Sequence, residues 1–401
     1  MAQHDMPRMG SGTSWLPPSA PVSMHHLPLG DWSLMVDGAA FGMFDRQWTL
    51  HGDERWTVLD WEMATLARSL GGGLLRVNAM TSLESFFMPD TGYPQLLQSG
   101  ETFAGRRIAN TQHPHTLVGE LAMVYDHSVT STFSTSFYAA AVGEPALGPV
   151  AYRHRSSANA DPFAPLGQHW LDESHSSRGV VTAGLYTARL RVEGSAFNGR
   201  QPDVARRELD FSGARLDSYA GRVTALPSEW IAVSAWAGYL AHHDPLDPVT
   251  GMQRYGVSVI TENTGIRGGA WSTTFAWGVN NHHHGARAHD HDATKPMANM
   301  LSSGVLLEST LGIGTRTEVF ARVEQVQKMA DDLGFLGGNL MEMFNVRSIA
   351  AGAVREVAHS YGASFGIGAR GALNLLPQTL RYTYTTTHPA GFAVFARIRP
   401  Y

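Results

Sequence analysis

The chain has 401 residues, of which 16% are charged against roughly a quarter in ordinary soluble domains, and it carries a net charge of −5, 42 glycines and no cysteine. The missing cysteine excludes disulfides and thiolate metal sites, and the mild negative charge without any basic run excludes a nucleic-acid partner. No apolar run approaches the 18 residues of a helical membrane span.

Residues 1–30 are rich in Pro, Met, Gly, Ser and His without periodicity and are expected to form a flexible tail. The stretch Met1–Met9 lacks an apolar core behind a basic start, so it is not a signal peptide. For an exported protein the signal would already have been removed.

From Trp32 onward the pattern has period two. Candidate strands lie near 32–45, 54–68, 74–87, 116–126, 131–142, 178–187, 189–198 and 211–225, then 230–241, 252–263, 269–280, 299–311, 315–328, 345–358, 363–375 and 391–400. That makes 16, within a range of 14 to 18, and residues 31–401 form one unit. In the segment 316–325, Arg316, Glu318, Phe320, Arg322 and Glu324 share one face and Thr317, Val319, Ala321 and Val323 the other. Near the end, Val394, Ala396 and Ile398 alternate with Phe395, Arg397 and Arg399.

Alternation alone suits either a soluble sheet over a core or a barrel whose apolar face meets lipid. Three observations favour the barrel. The strands often reach ten residues or more, where soluble strands average five or six. The residues opposite the charged face are modest in size (Val, Ala, Thr, Leu). Short connections (69–73, 126–131, 187–188, 227–229, 264–268, 312–315, 360–363) take turns with long ones (89–114, 143–177, 199–210, 242–250, 281–296, 329–344, 377–390). Short turns on one side and long loops on the other are the rhythm of an all-β, transmembrane, antiparallel up-and-down barrel. An even strand count puts both termini with the short turns on the periplasmic side. Trp61, Phe86, Phe87, Tyr125, Trp230, Tyr239, Trp271 and Trp277 fall near strand ends, where interface girdles belong.

On this architecture and its aromatic end, Tyr401 after an alternating last strand, the sequence resembles the porin-like outer-membrane β-barrels of Gram-negative bacteria. Pro400 and Arg399 put the final apolar positions one step out of the usual register. The stretches Gly12–Trp15, Gly143–Pro149, His169–Asp172 and Phe197–Asp203 resemble those of an exported barrel family without an assigned activity. The resemblance implies an outer-membrane setting among lipid and lipopolysaccharide, handling by the barrel-assembly machinery, and a homo-oligomer by analogy with trimeric porins.

The face expected to line the lumen carries Arg76, Glu84, Glu120, Arg189, Arg191, Glu193, Arg316, Glu318, Arg322, Glu324 and Arg397. Opposed charges across a wet pore select small polar solutes, whereas the same residues as ion pairs merely stiffen or close the wall. The loop 143–177 is too long for a simple connector; it either folds inward to narrow the pore or caps the outside. Of the 19 histidines, most fall in the long connections. His169, Asp172 and His175 recur every third residue, and His113 and His115 flank Pro114, so these five are a candidate Cu or Zn site. The alternative is hydrogen bonding between loops. The tract 282–292 would bind metal loosely, and His4, Met6, Met9, Met24, His25 and His26 give the tail a copper-like composition. No G-x-S-x-G, H-E-x-x-H or P-loop is present, which leaves an envelope hydrolase the least favoured reading. The sequence is therefore expected to encode a porin-like diffusion channel for small polar solutes, with a metal-binding outer-membrane protein as the alternative.

Overall fold

The computed structural model describes residues 9–400 apart from 22–23, 173, 210, 212–214, 247–250, 267 and 284–299. In chain order the strands are β1 (His25–Leu29), β2 (Trp32–Trp48), β3 (Glu54–Leu70), β4 (Gly73–Thr81), β5 (Tyr93–Phe103), β6 (Arg106–Gln112), β7 (Val118–Ser128), β8 (Ser134–Gly143), β9 (Ser177–Tyr186) and β10 (Leu190–Phe197). They continue as β11 (Ser218–Ser228), β12 (Ile231–Leu240), β13 (Gly251–Ile266), β14 (Gly269–His283), β15 (Met300–Ile313), β16 (Thr317–Met329), β17 (Met343–Ser360), β18 (Ala363–Leu375) and β19 (Ala390–Pro400).

Sixteen of these make the wall. Each pairs antiparallel with its neighbours; β4 pairs with β7, β9 with β10, and β19 returns to β2 from Ala390↔Trp48 to Ile398↔Ala40. The sheet thus closes into a ring without edges, the arrangement that leaves no wall strand with unpaired backbone. All sixteen expected strands are present. β1 was not expected: it pairs with Trp32–Val36 of β2, beyond the point where β19 stops, and His25 Nε2 lies 2.8 Å from the Gly362 carbonyl.

Period-two patterning decides which side chains face out. Leu121, Met123, Phe137, Leu185, Val192, Leu307, Val323, Ile367, Val394 and Ile398 are exposed on the outer surface, an apolar band of the kind that is stable in lipid. Trp230, Trp271 and Trp277 share that exposure. Trp61 does not: it is buried, with its ring 5.2 Å from that of His154. Phe86 and Phe87 are exposed but belong to a short helix, α1 (Glu84–Phe87), beyond the end of β4.

Among the described residues, inward segments pack against the wall. Tyr93, Met88, Ala160 and Phe163 pack on Phe41, Leu59, Phe320 and Phe395 of the wall. Leu96, Leu97, Leu166 and Trp170 pack on Val326, Phe344, Val346 and Leu376. Three segments supply this filling: the β5–β6 hairpin, the loop 144–176, and residues 9–20.

The last of these was expected to be flexible, and the structure places it otherwise. Trp15, Leu16 and Ala20 are buried, Ser19 donates its N–H to the Glu229 carbonyl and its hydroxyl to the Glu262 carbonyl, and Thr13 Oγ1 accepts a hydrogen bond from Arg222. Short Ser and Thr side chains without periodicity suit a segment that answers polar groups on a wall. His4 and Met6 lie outside the described residues.

The wall also shows where a core contact leaves no room. A Cβ at Gly368 would overlap the Phe395 ring on the adjacent strand. Gly368→Ala is expected to destabilise the barrel by roughly 1–3 kcal/mol through overpacking. Equilibrium urea unfolding from lipid vesicles measures this, and an unchanged midpoint would count against the packing described.

Candidate functional site: the inward segments and their buried His–Glu cluster

The inner wall presents charges, and the inward segments meet them. On the loop 144–176, Arg155 Nε lies 2.6 Å from Glu308 of β15, and Asp161 lies 3.2 Å from Arg322 of β16 and 3.0 Å from Arg370 of β18. Arg322 also reaches Glu308 at 3.0 Å. Glu324 accepts the N–H groups of Leu166 and Gly167 at 3.0 and 2.9 Å. Towards β11, Arg222 holds Glu193 at 2.8 Å and Glu144 at 3.4 Å, and Arg191 holds Glu193 at 2.8 Å.

The residues expected to line the lumen therefore divide. Arg191, Glu193, Arg322, Glu324 and Glu120 are buried and engaged on the inner side, with Glu120 accepting from Tyr138 Oη at 2.9 Å. Arg76 pairs with Asp126 at 2.5 Å, and Arg397 with Glu318 at 2.5 Å. Glu84 is buried on α1 rather than on a strand, held by Arg153 at 3.0 Å and His115 at 2.8 Å. Arg189 and Arg316 sit instead in exposed turns, because β10 starts at Leu190 and β16 at Thr317. Alternation carried one residue past a strand end assigns a face to a residue that has none.

The spaces left between segments and wall include one of about 80 Å³ beside Leu16, Phe41, Trp61 and Arg153, and one of about 40 Å³ beside His115, Glu144, His154 and His175. Each has room for a few waters only.

The β5–β6 hairpin, hidden in the connection 89–114, spans the long-loop end of the barrel. Its tip donates the Gly105 N–H to Asp203 at 2.8 Å. Arg107 grips Asp244 at 2.5 Å and Asp331 at 2.8 Å, residues from two further loops, and Asn110 accepts from Tyr384 Oη at 3.0 Å. Burial alone would raise the Asp244 carboxyl, but Arg107 outweighs it and holds the group below its ordinary 3.8.

Beneath the hairpin lies a cluster of imidazoles. Glu101 on β5, His113 just after β6 and His169 on α2 (Gln168–Leu171) are all buried. His113 Nε2 and His169 Nε2 are 3.2 Å apart, and Glu101 Oε1 lies 3.4 and 3.3 Å from them. Each ring is fixed from behind: His113 Nδ1 donates to the Pro114 carbonyl and His169 Nδ1 to the Ser99 carbonyl, both at 2.8 Å. The second oxygen of Glu101 accepts from Arg206 at 2.8 Å. Burial pushes His113 well below the usual histidine range, against the pull of Glu101. For Glu101 burial acts upward, but its neighbours, Arg206 foremost, hold the carboxyl well below its usual range.

Of the five residues that the sequence grouped as a metal site, only His113 and His169 come together. His115 bonds to Glu84 through Nδ1 and lies 3.3 Å from Tyr152 Oη through Nε2. His175 Nδ1 bonds to the Asp172 carbonyl at 2.8 Å, and burial raises the Asp172 carboxyl to about 8 against the nearby arginines. Spacing of three fails here because α2 ends at Leu171, so His169, Asp172 and His175 never stack on one helix. Glu101 was missed because it lies 12 residues before His113 in a connection that carries no strand signal as clear as the wall's. The tract at 284–292 lies outside the described residues. His282 Nε2 lies 3.2 Å from Ser302 Oγ.

Two outcomes follow. Arg322→Ala leaves Asp161 and Glu308 in place with Arg370 and Arg155 as their remaining partners. The expected cost is roughly 3 kcal/mol, the low end for breaking a buried pair, in the same urea assay. The Asp244 carboxyl is depressed in the folded state, so the latch is complete above 3.8 and is lost as the pH falls through the folded value. Proteolysis within the hairpin should therefore stay constant from neutral pH to about 4 and rise below it. A rise near pH 6 would contradict this.

No protein-family model matches the sequence, and no curated protein matches it. Solved structures do. The anion-selective porin from Comamonas acidovorans superposes with a TM-score of 0.54 at 10% identity, over 92% of this chain and 99% of that one. OmpF of Salmonella typhi, solved with daunomycin, gives 0.53 at 12% identity over 93% and 100%. OmpT, an outer-membrane protein of Vibrio cholerae, gives 0.51 at 9% identity over 94% and 99%. The chain has the fold of these proteins: a closed, 16-stranded, antiparallel β-barrel of the porin type.

Proposed function

We propose that this protein is a porin-like channel of the Gram-negative outer membrane, passing small polar solutes by diffusion. The observation that carries the reading is the inner wall itself. A sixteen-strand ring is wide enough for an aqueous passage, and this one faces inward with arginines and carboxylates while its outer face is apolar. The loop 144–176 and the hairpin constrict it from within, so the solutes admitted are small and passage depends on how far the hairpin is held down. The porin fold of the neighbours supports the location, and a trimer form of Vibrio cholerae OmpT supports a homo-oligomer.

Arg107 ties the hairpin to two loops, so it is the residue whose loss should widen the passage. In planar bilayers the purified protein is expected to give small, discrete conductance steps, and Arg107→Ala larger ones. Silence from both proteins at every voltage would overturn the channel reading.

A further inference from the structure

Three acceptor atoms converge on one buried point between the hairpin and the loop. Because each histidine's Nδ1 faces a carbonyl, which can only accept, the ring proton sits on Nδ1 and the lone pair of each Nε2 faces the other. Glu101 Oε1 completes the triangle. Three acceptors at this spacing repel one another unless a cation lies among them. A single proton would serve two of the three along one line and draw them to about 2.7–2.9 Å. The observed sides are 3.2, 3.3 and 3.4 Å, nearly equal and longer than that. A tetrahedral ion with bonds of about 2.0–2.1 Å has ligand–ligand edges of about 3.3 Å.

The surroundings are arranged as a metal site needs. Backbone carbonyls fix the tautomer and aim of both rings, the role that outer partners play for ligating histidines. Arg206 takes one oxygen of Glu101 and leaves the other free. The Arg254 guanidinium accepts nothing but donates to the His169 carbonyl at 2.7 Å, which pins α2 to the wall. Gly100 has φ +110°, and a Cβ there would lie 2.6 Å from His169 Cβ, so only glycine lets that ring reach its place.

We propose that Glu101, His113 and His169 bind one divalent first-row transition ion, with zinc as the best match to two imidazoles, one carboxylate and a tetrahedral face. Water fills the fourth position. The site is independent of whether solutes pass through the barrel.

The test uses the full chain in detergent with the tract residues His283, His284, His289 and His291 replaced by alanine, stripped by a chelator and titrated with Zn²⁺ against a chromogenic competitor. One equivalent is expected. In that background His169→Ala and Glu101→Gln should each weaken binding at least ~10-fold, Gly100→Ala should weaken it by displacing a ligand, and His175→Ala should leave it unchanged. Absence of stoichiometric zinc in the background protein, or equal affinity in His169→Ala and Glu101→Gln, overturns the proposal. X-ray absorption on the zinc-loaded background protein keeps the question open to decision if a ligand variant fails to fold. Four-coordinate zinc with two imidazoles and two oxygens supports the site, and any other set of ligands overturns it.

Discussion

A barrel wall must place every second side chain inside, and here many of those side chains are charged. Arg322 is the clearest case: it is buried on β16 and lies between Asp161 of the inward loop and Glu308 of β15. An arginine in that position without partners would face a desolvation cost of several kcal/mol. The loop 144–176 offsets the cost by bringing Asp161 to Arg322 and adds Arg155 as a partner for Glu308, and the wall in turn fixes the loop. Glu324, Arg222 and Arg370 repeat the arrangement at other points of the ring. Charge complementarity between the ring and its contents is thus the constraint on which the interior depends, and the apolar clusters around Phe163 and Trp170 fill the space between these fixed points.

The same dependence explains where chemistry gathers. Once the loop is seated, His169 is carried across the lumen to meet a hairpin that starts from a different connection. Arg206, from a third long connection, steadies Glu101. None of these residues lies on the wall, so the cluster exists only while the segments are docked. The hairpin above it is held by Arg107 to loops on either side. The cluster therefore depends on the same docked segments that Arg107 helps to hold in place.

The wall was legible in the sequence because its signal is local and repeated. Two neighbours decide whether Val323 faces out, and the pattern 316–325 states it without reference to anything distant. It failed mainly at its ends, where Arg189 and Arg316 continue the alternation into turns and Glu84 into the helix α1. The interior was not legible in the same way. Asp161 and Arg322 are 161 positions apart by no rule that period or propensity encodes, and the segment 9–20 has the composition of a free tail although Thr13 and Ser19 are bonded to the wall. The histidines occupy a middle position. Their concentration in the long connections was visible, and His113 and His169 do lie side by side, but the third member of the cluster is a glutamate whose partnership depends on how the hairpin folds.

The central claim is that the loop 144–176 lies within the barrel against the wall. Ser157 Oγ and Thr274 Oγ1 are 2.7 Å apart across that contact, and the chain has no cysteine of its own. With Ser157→Cys and Thr274→Cys introduced together, oxidation should form the disulfide nearly to completion, detected as loss of free thiol. A pair that stays reduced while both thiols react freely with an aqueous reagent would contradict the account.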